Sequence, residues 1–186
     1  MDTTTPKFKK VKSNVELDAV LATKSAALIA SRFRNKSCTK CPLSNNVNTK
    51  TVCMFGQGLA PAEGMVIYDA PTEVDDMQGK PLMNTAGAYI RSVFAEVGLD
   101  YDDFYVTPAV KCMVDLDDEE RKTKLKHVEE CGSYLKHEIK QVKPKVILAL
   151  GAAPYQFFTG AQGTLNSRAG SFFSEEYNCA VVSVVD

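Results

Sequence analysis

Apolar positions change their spacing several times along this chain, and each change marks an element. From 14 to 34, Val15, Leu17, Val20, Leu21, Leu28 and Ile29 recur among alanines, which predicts a helix behind a polar, flexible tail over 1–13. SCTKCPLS (37–44) reads as a compact turn, and TVCMF (51–55) as a short apolar segment closed by GQG. MVIY (65–68) is a second apolar run, of strand length. Over 85–97, Ile90, Val93, Phe94 and Val97 share one side of a helix that Gly98 is placed to cap. FYVTPAV (104–110) is a further strand, with Pro108 near its end because proline cannot donate to a ladder. The acidic run DLDDEE (115–120) can open the next helix, where its charge opposes the positive end of the dipole. In that helix Leu125, Val128, Leu135, Ile139 and Val142 recur every three or four residues until Pro144 stops it. KVILAL (145–150) is a nearly continuous apolar strand, a short helix follows at 152–159, GAQGTLNSRAGS (160–171) is a loop, and AVVSVV (180–185) is the last strand.

Alternating strands and helices predict a three-layer α/β domain over 14–186, with right-handed crossovers and a sheet buried on both faces. Ligands in such sheets sit beyond the carboxyl ends of the strands. The loops leaving those ends, 69–84, 108–118 and 151–154, therefore carry the candidate chemistry. The last strand runs out with the chain at Asp186, so a C-terminal segment of the domain is expected to be missing.

Composition narrows the classes. The chain has 186 residues, 45% of them apolar and 24% charged, with a formal net charge of −1. These are globular values, and a nucleic-acid partner would have to be held by a local basic patch rather than a broad field. No run reaches membrane-spanning length, and the start MDTTTPKFKKVK lacks the apolar core of a signal peptide. A cytoplasmic monomer is expected.

Six cysteines then stand out. Cys38 and Cys41 form a C-x2-C pair in a loop, Cys112 follows a strand behind Lys111, and Cys131 faces inward from the next helix. Four thiols so spaced could hold a [4Fe–4S] cluster or a zinc ion, or could be independent small core residues. Cys53 and Cys179 lie in apolar stretches and read as core.

In the loops, Asp69 follows MVIY, where a carboxylate can orient a water or face a developing positive charge, or simply cap a loop. Glu73, Asp75 and Asp76 read as solvated, and Asn84 either caps the helix over 85–97 or reads an amide-like edge. Lys111 adds positive charge on the ligand side, and Ser167 and Arg168 sit in a glycine-flanked loop that could grip phosphate. His127 and His137 read as exposed helix residues. No phosphate-loop, dinucleotide or serine-hydrolase signature is present.

Taken in order, CTKCPL (38–43), VCMFGQG (52–58), IYDAP (67–71), GKPLMNTAG (79–87), YVTPAVKC (105–112), Cys131, PKVILALG (144–151) and RAG (168–170) resemble the iron–sulfur uracil-DNA glycosylases of family 4, including relatives in phages and fused to phage DNA polymerases. The resemblance implies an α/β/α sandwich around a four-stranded parallel sheet. It implies a structural [4Fe–4S] cluster on Cys38, Cys41, Cys112 and Cys131, and flipping of uracil from DNA, single-stranded or mismatched, with hydrolysis of its N-glycosidic bond. Asp69 takes the place of the motif acid, beside Ala70 and Pro71 in the base pocket. Leu82 stands where the family stacks the base on phenylalanine, Pro108 where an asparagine reads the base, and Asn84 where glycine is usual. Lys111, Ser167 and Arg168 would meet DNA, and the family's His-Pro motif would fall at or beyond the end of the chain. The alternative to an active glycosylase is a DNA-binding accessory domain with weak or lost chemistry, in a phage repair or replication protein and alongside a DNA polymerase.

Overall fold

A strand covered on both faces needs buried side chains at every position, and GMVIY supplies them: β1 (Gly64–Tyr68) is buried throughout. The computed structural model describes residues 37–45, 50, 53–114, 125–160 and 169–184. β1 pairs in parallel with β2 (Phe104–Pro108) on one side and β3 (Val146–Leu150) on the other. Beyond β3, a hairpin joins β4 (Gly170–Ser174) to β5 (Cys179–Val184), and β5 pairs in parallel with β3. The sheet order is β2-β1-β3-β5-β4.

Four parallel strands are thus present as expected, and a fifth, β4, adds antiparallel at the edge. Part of the stretch read as a loop, 160–171, is therefore strand. The two phenylalanines that follow it alternate across β4, and Asn178, at φ 51°, closes the turn into β5. TVCMF does not form a strand among its described residues. Cys53 takes φ 54°, and Cys53 to Phe55 run as buried irregular chain before Gln57 makes a single antiparallel bridge to Val106.

Helices cover both faces. β1 leads to β2 through α1 (Glu73–Gln78) and α2 (Thr85–Glu96), β2 leads to β3 through α3 (Leu125–Val142), and α4 (Ala152–Thr159) follows β3. Val128, Cys131, Leu135, Ile139 and Val142 of α3 join Met65, Ile67, Ile147, Ala149 and Val181 of the sheet in the larger core. On the other face, Val66, Tyr68 and Val106 pack with Leu82 and with Phe94 of α2. The buried face of α3 is broader than its apolar spacing implied: His127, read as exposed, is fully buried, and His137 is half-buried. No described helix is long and apolar enough to cross a membrane. The tail over 1–13, the helix expected at 14–34 and the acidic run at 115–120 lie outside the described residues.

Leu135 is completely buried between α3 and the sheet. Leu135→Ala should cost about 2–5 kcal/mol by lost transfer energy and residual cavity, read as a lower denaturant midpoint with unchanged slope.

Candidate active site and cysteine centre

The strand ends lie level: Tyr68 of β1 is in register with Pro108 of β2 and Leu150 of β3, and Leu150 with Val184 of β5. Asp69 leaves this edge directly after Tyr68 and is half-buried. Its Oδ1 accepts a hydrogen bond from Ala153 N–H at 2.7 Å, at the first turn of α4. The N-cap of that helix, Gly151, has no side chain to offer, so Asp69 caps it from another segment. Gly151 must be glycine for two reasons: its φ is 93°, and a Cβ there would lie 2.5 Å from Asp69 Oδ1. The carboxylate is thereby fixed at the carboxyl edge of the sheet, where a ligand of this architecture belongs.

The loop after Asp69 is held by buried carboxylates. Asp75 and Asp76, read as solvated, are almost completely buried. Asp75 closes a capping box with Thr72, accepting from Thr72 N–H at 3.0 Å, and its other oxygen accepts from Met83 N–H at 2.6 Å. One side chain therefore pins both arms of the loop. Asp76 accepts from Lys50 N–H at 2.7 Å and ties in a distant segment. Ala70 and Pro71 are buried at the loop's start. Leu82 is buried in the α2-side core with Val66, Tyr68, Phe94 and Val106, and takes φ 50°. Asn84 caps α2, accepting from Gly87 N–H at 3.0 Å through Oδ1. Pro108 closes β2, buried beside Tyr68. Tyr68 packs in the same core as Leu82, and its O–H donates to Met54 Sδ. Burial and the neighbouring Asp75 carboxylate push its phenol well above the ordinary range.

Lys111 does not face DNA. It is completely buried, where its Nζ donates to Thr107 Oγ1 at 2.7 Å and forms an ion pair with Glu138. Glu138, equally buried on α3, also accepts from Gly56 N–H at 2.7 Å, Tyr105 O–H at 2.9 Å and Thr107 O–H. Gly56 can come so close because it has no Cβ, which would lie 2.3 Å from the Tyr105 ring. Sequence position put Lys111 after a strand on the ligand side. The chain instead turns inward there, because a buried carboxylate on α3 needs a cation. Ser167 and Arg168 lie outside the described residues.

Two docking points join the C-x2-C turn to α3. Tyr134 O–H donates to Cys38 Sγ at 3.3 Å, and Lys40 donates to Ser133 Oγ at 2.8 Å while lying over the Tyr134 ring. Cys41 packs against the same core as Cys112 and Cys131. Burial pushes the Cys112 thiol up to about 12, and charge on Cys131, Cys41 and Cys38 adds to the rise. Cys131 is raised by burial too, partly offset by the Lys111 N–H and ammonium. The four thiols thus share one electrostatic neighbourhood. Among the described residues, however, no three His, Cys, Asp or Glu side chains are arranged to hold a metal ion. The two facts agree if the sulfurs surround a space wider than one ion. Zinc–sulfur bonds of about 2.3 Å would draw four sulfurs tightly together, whereas an iron–sulfur cage spaces its thiolates apart. A set of four thiols, of which Cys112 and Cys131 are kept neutral by burial until a cationic centre binds, suits such a cage. Cys53 and Cys179 are buried core residues.

Three participants escaped the sequence reading, and each left a trace. Glu138 is a lone acid three residues after Leu135 and four before Val142, on the apolar face of α3. Asp75 completes a Thr-x-x-Asp capping pattern with Thr72. Gly151 is a glycine directly after an apolar strand.

The uracil DNA glycosylase superfamily profile matches residues 55–184, which hold the whole sheet, Asp69, Cys112 and Cys131 but not Cys38 or Cys41. The type-4 uracil-DNA glycosylase of Archaeoglobus fulgidus is 34% identical over 121 residues, 65% of this chain and 58% of that protein. That of Thermotoga maritima is 31% identical over 125 residues, 67% of this chain and 62% of that protein. That of Pyrobaculum aerophilum is 26% identical over 155 residues, 80% of this chain and 73% of that protein. In the first two, the match spans less than two thirds of the relative's own length. The parallel sheet, the acid at the end of its first strand and the sequence around both lie within the matched region, and the chain belongs to the uracil DNA glycosylase superfamily.

Proposed function

We propose that this chain acts on DNA as a base-excising hydrolase of the uracil-DNA glycosylase kind. The observation that carries the reading is Asp69, a carboxylate locked by Ala153 N–H at the carboxyl edge of the sheet. In the reaction, the C1′–N bond of the deoxynucleotide breaks and its electron pair leaves with the base. A water adds to C1′, and its proton ends on the released base. Asp69 orients that water and opposes the positive charge that grows on the sugar. Single-stranded or mismatched DNA is the preferred substrate, because extruding the base costs least there.

A second reading is an accessory DNA-binding domain with weakened chemistry, of a phage-type or polymerase-associated kind. Pro108 favours it, since a buried proline at the end of β2 offers no side-chain donor or acceptor to a base. Buried Leu82 favours it too, since its side chain is enclosed in the core.

We further infer that Cys38, Cys41, Cys112 and Cys131 hold a [4Fe–4S] cluster. When bound, the cluster cross-links the C-x2-C turn, the end of β2 and α3. No step of base excision passes through it.

The test is release of free base from single-stranded and U:G oligonucleotides. Wild type should release uracil, and Asp69→Asn, which keeps an acceptor for Ala153 N–H, should lose at least about a hundredfold in rate with DNA binding unchanged. Salt-dependent binding without release of any base from wild type would select the accessory reading. Pro108→Asn should raise excision by about tenfold or more if the lost donor limits the rate. Anaerobically purified protein should be brown and carry iron with acid-labile sulfide. Cys112→Ser should lose most of that iron and melt at a lower temperature, because binding at such a site is also folding energy. A colourless protein with one zinc would reject the cluster.

A further inference from the structure

Base excision as described makes no use of two completely buried charges, Lys111 and Glu138, neither of which reaches solvent. A buried ion pair is a weak stabiliser, since apolar residues of similar volume often do as well. What surrounds this pair gives it another role. Lys111 immediately precedes Cys112, and its N–H donates to Cys131 Sγ at 3.5 Å. Its carbonyl accepts from Met54 N–H at 2.6 Å, which fixes the backbone on the other side. Glu138 lies seven residues after Cys131, two turns along the same face of α3. The pair is therefore built into the two segments that carry Cys112 and Cys131. Thr107, Tyr105 and Gly56 hold Glu138 in place from β2 and the loop before β1.

We propose that Lys111, locked by Glu138, is a positioning residue of the cysteine centre: its main chain aims Cys131, and its place in the chain fixes Cys112. The inference rests on the cluster reading above. Groups that hold and polarise ligands from behind are known to matter nearly as much as the ligands. Local charge and hydrogen bonds to sulfur also set a cluster's reduction potential.

The test uses the whole chain, purified anaerobically, with Lys111→Met and Glu138→Gln combined so that no lone charge is left buried. The amide that Glu138→Gln introduces keeps an acceptor for Gly56 N–H and Tyr105 O–H. The double variant should melt cooperatively, yet lose iron to a chelator about 10–100-fold faster than wild type. Its midpoint potential should also shift from the wild-type value, because the Lys111 N–H that donates to Cys131 Sγ loses the anchor that holds it there. A purely structural pair would not shift the potential of a folded, loaded protein. Thr107→Val, which removes only the hydroxyl that anchors the ammonium, gives a second arm should the double variant fail to fold. It should speed iron loss in the same direction. Wild-type chelation rate and potential in the variants that fold and load overturn the proposal while leaving the cluster intact. A wild-type chain without iron and sulfide overturns the cluster, and this inference with it.

Discussion

The carboxylate of Glu138 is the constraint on which much of this molecule turns. It sits without solvent in the interior and accepts hydrogen bonds from Gly56, Tyr105 and Thr107 beside its ion pair with Lys111. A charge so placed tolerates no partial solution, since removing one partner of a buried pair costs about 3–5 kcal/mol. The loop before β1, the end of β2 and the middle of α3 are therefore obliged to meet at one point. That meeting fixes the backbone at Lys111, and through it the placement of Cys112 and Cys131.

A second carboxylate does comparable work at the other side of the same edge. Asp69 is held on the first turn of α4, and Gly151 leaves room for it only by having no side chain. The loop that follows is closed on itself by Asp75, which holds Thr72 and Met83 together. The polar stretch after β1, which looks like solvated loop in sequence, is mostly internal scaffolding. Asp75 and Asp76 hold backbone N–H groups inside it, while Asp69 stays half-exposed on the ligand side.

The two regions share an origin in sheet geometry. Parallel strands whose ends are in register, Tyr68 with Pro108 and Leu150, deliver their following loops to one side. Asp69, the turn after Pro108 and the first turn of α4 are all products of that one edge. Cys112 is reached from it by the turn after β2, and Cys131 by α3, so anything that shifts β2 shifts both.

Sequence by itself determined the α/β order, the four parallel strands, the inward face of α3 at Cys131 and the place of Asp69, because apolar periodicity and strand–loop boundaries are local properties. It also marked Asn84 as a helix cap. Only the tertiary structure decided which polar residues lie inside. Lys111 looked like a DNA contact and is an internal cation; Asp75 and Asp76 looked solvated and are buried; His127 looked exposed and is enclosed. The irregular course of Cys53–Phe55 was likewise set by pairing with distant segments. The physical reason is the same in each case. A charge or a hydrogen-bonding group is stable in the interior only when partners from remote parts of the chain converge on it, and the linear order of residues does not state that convergence.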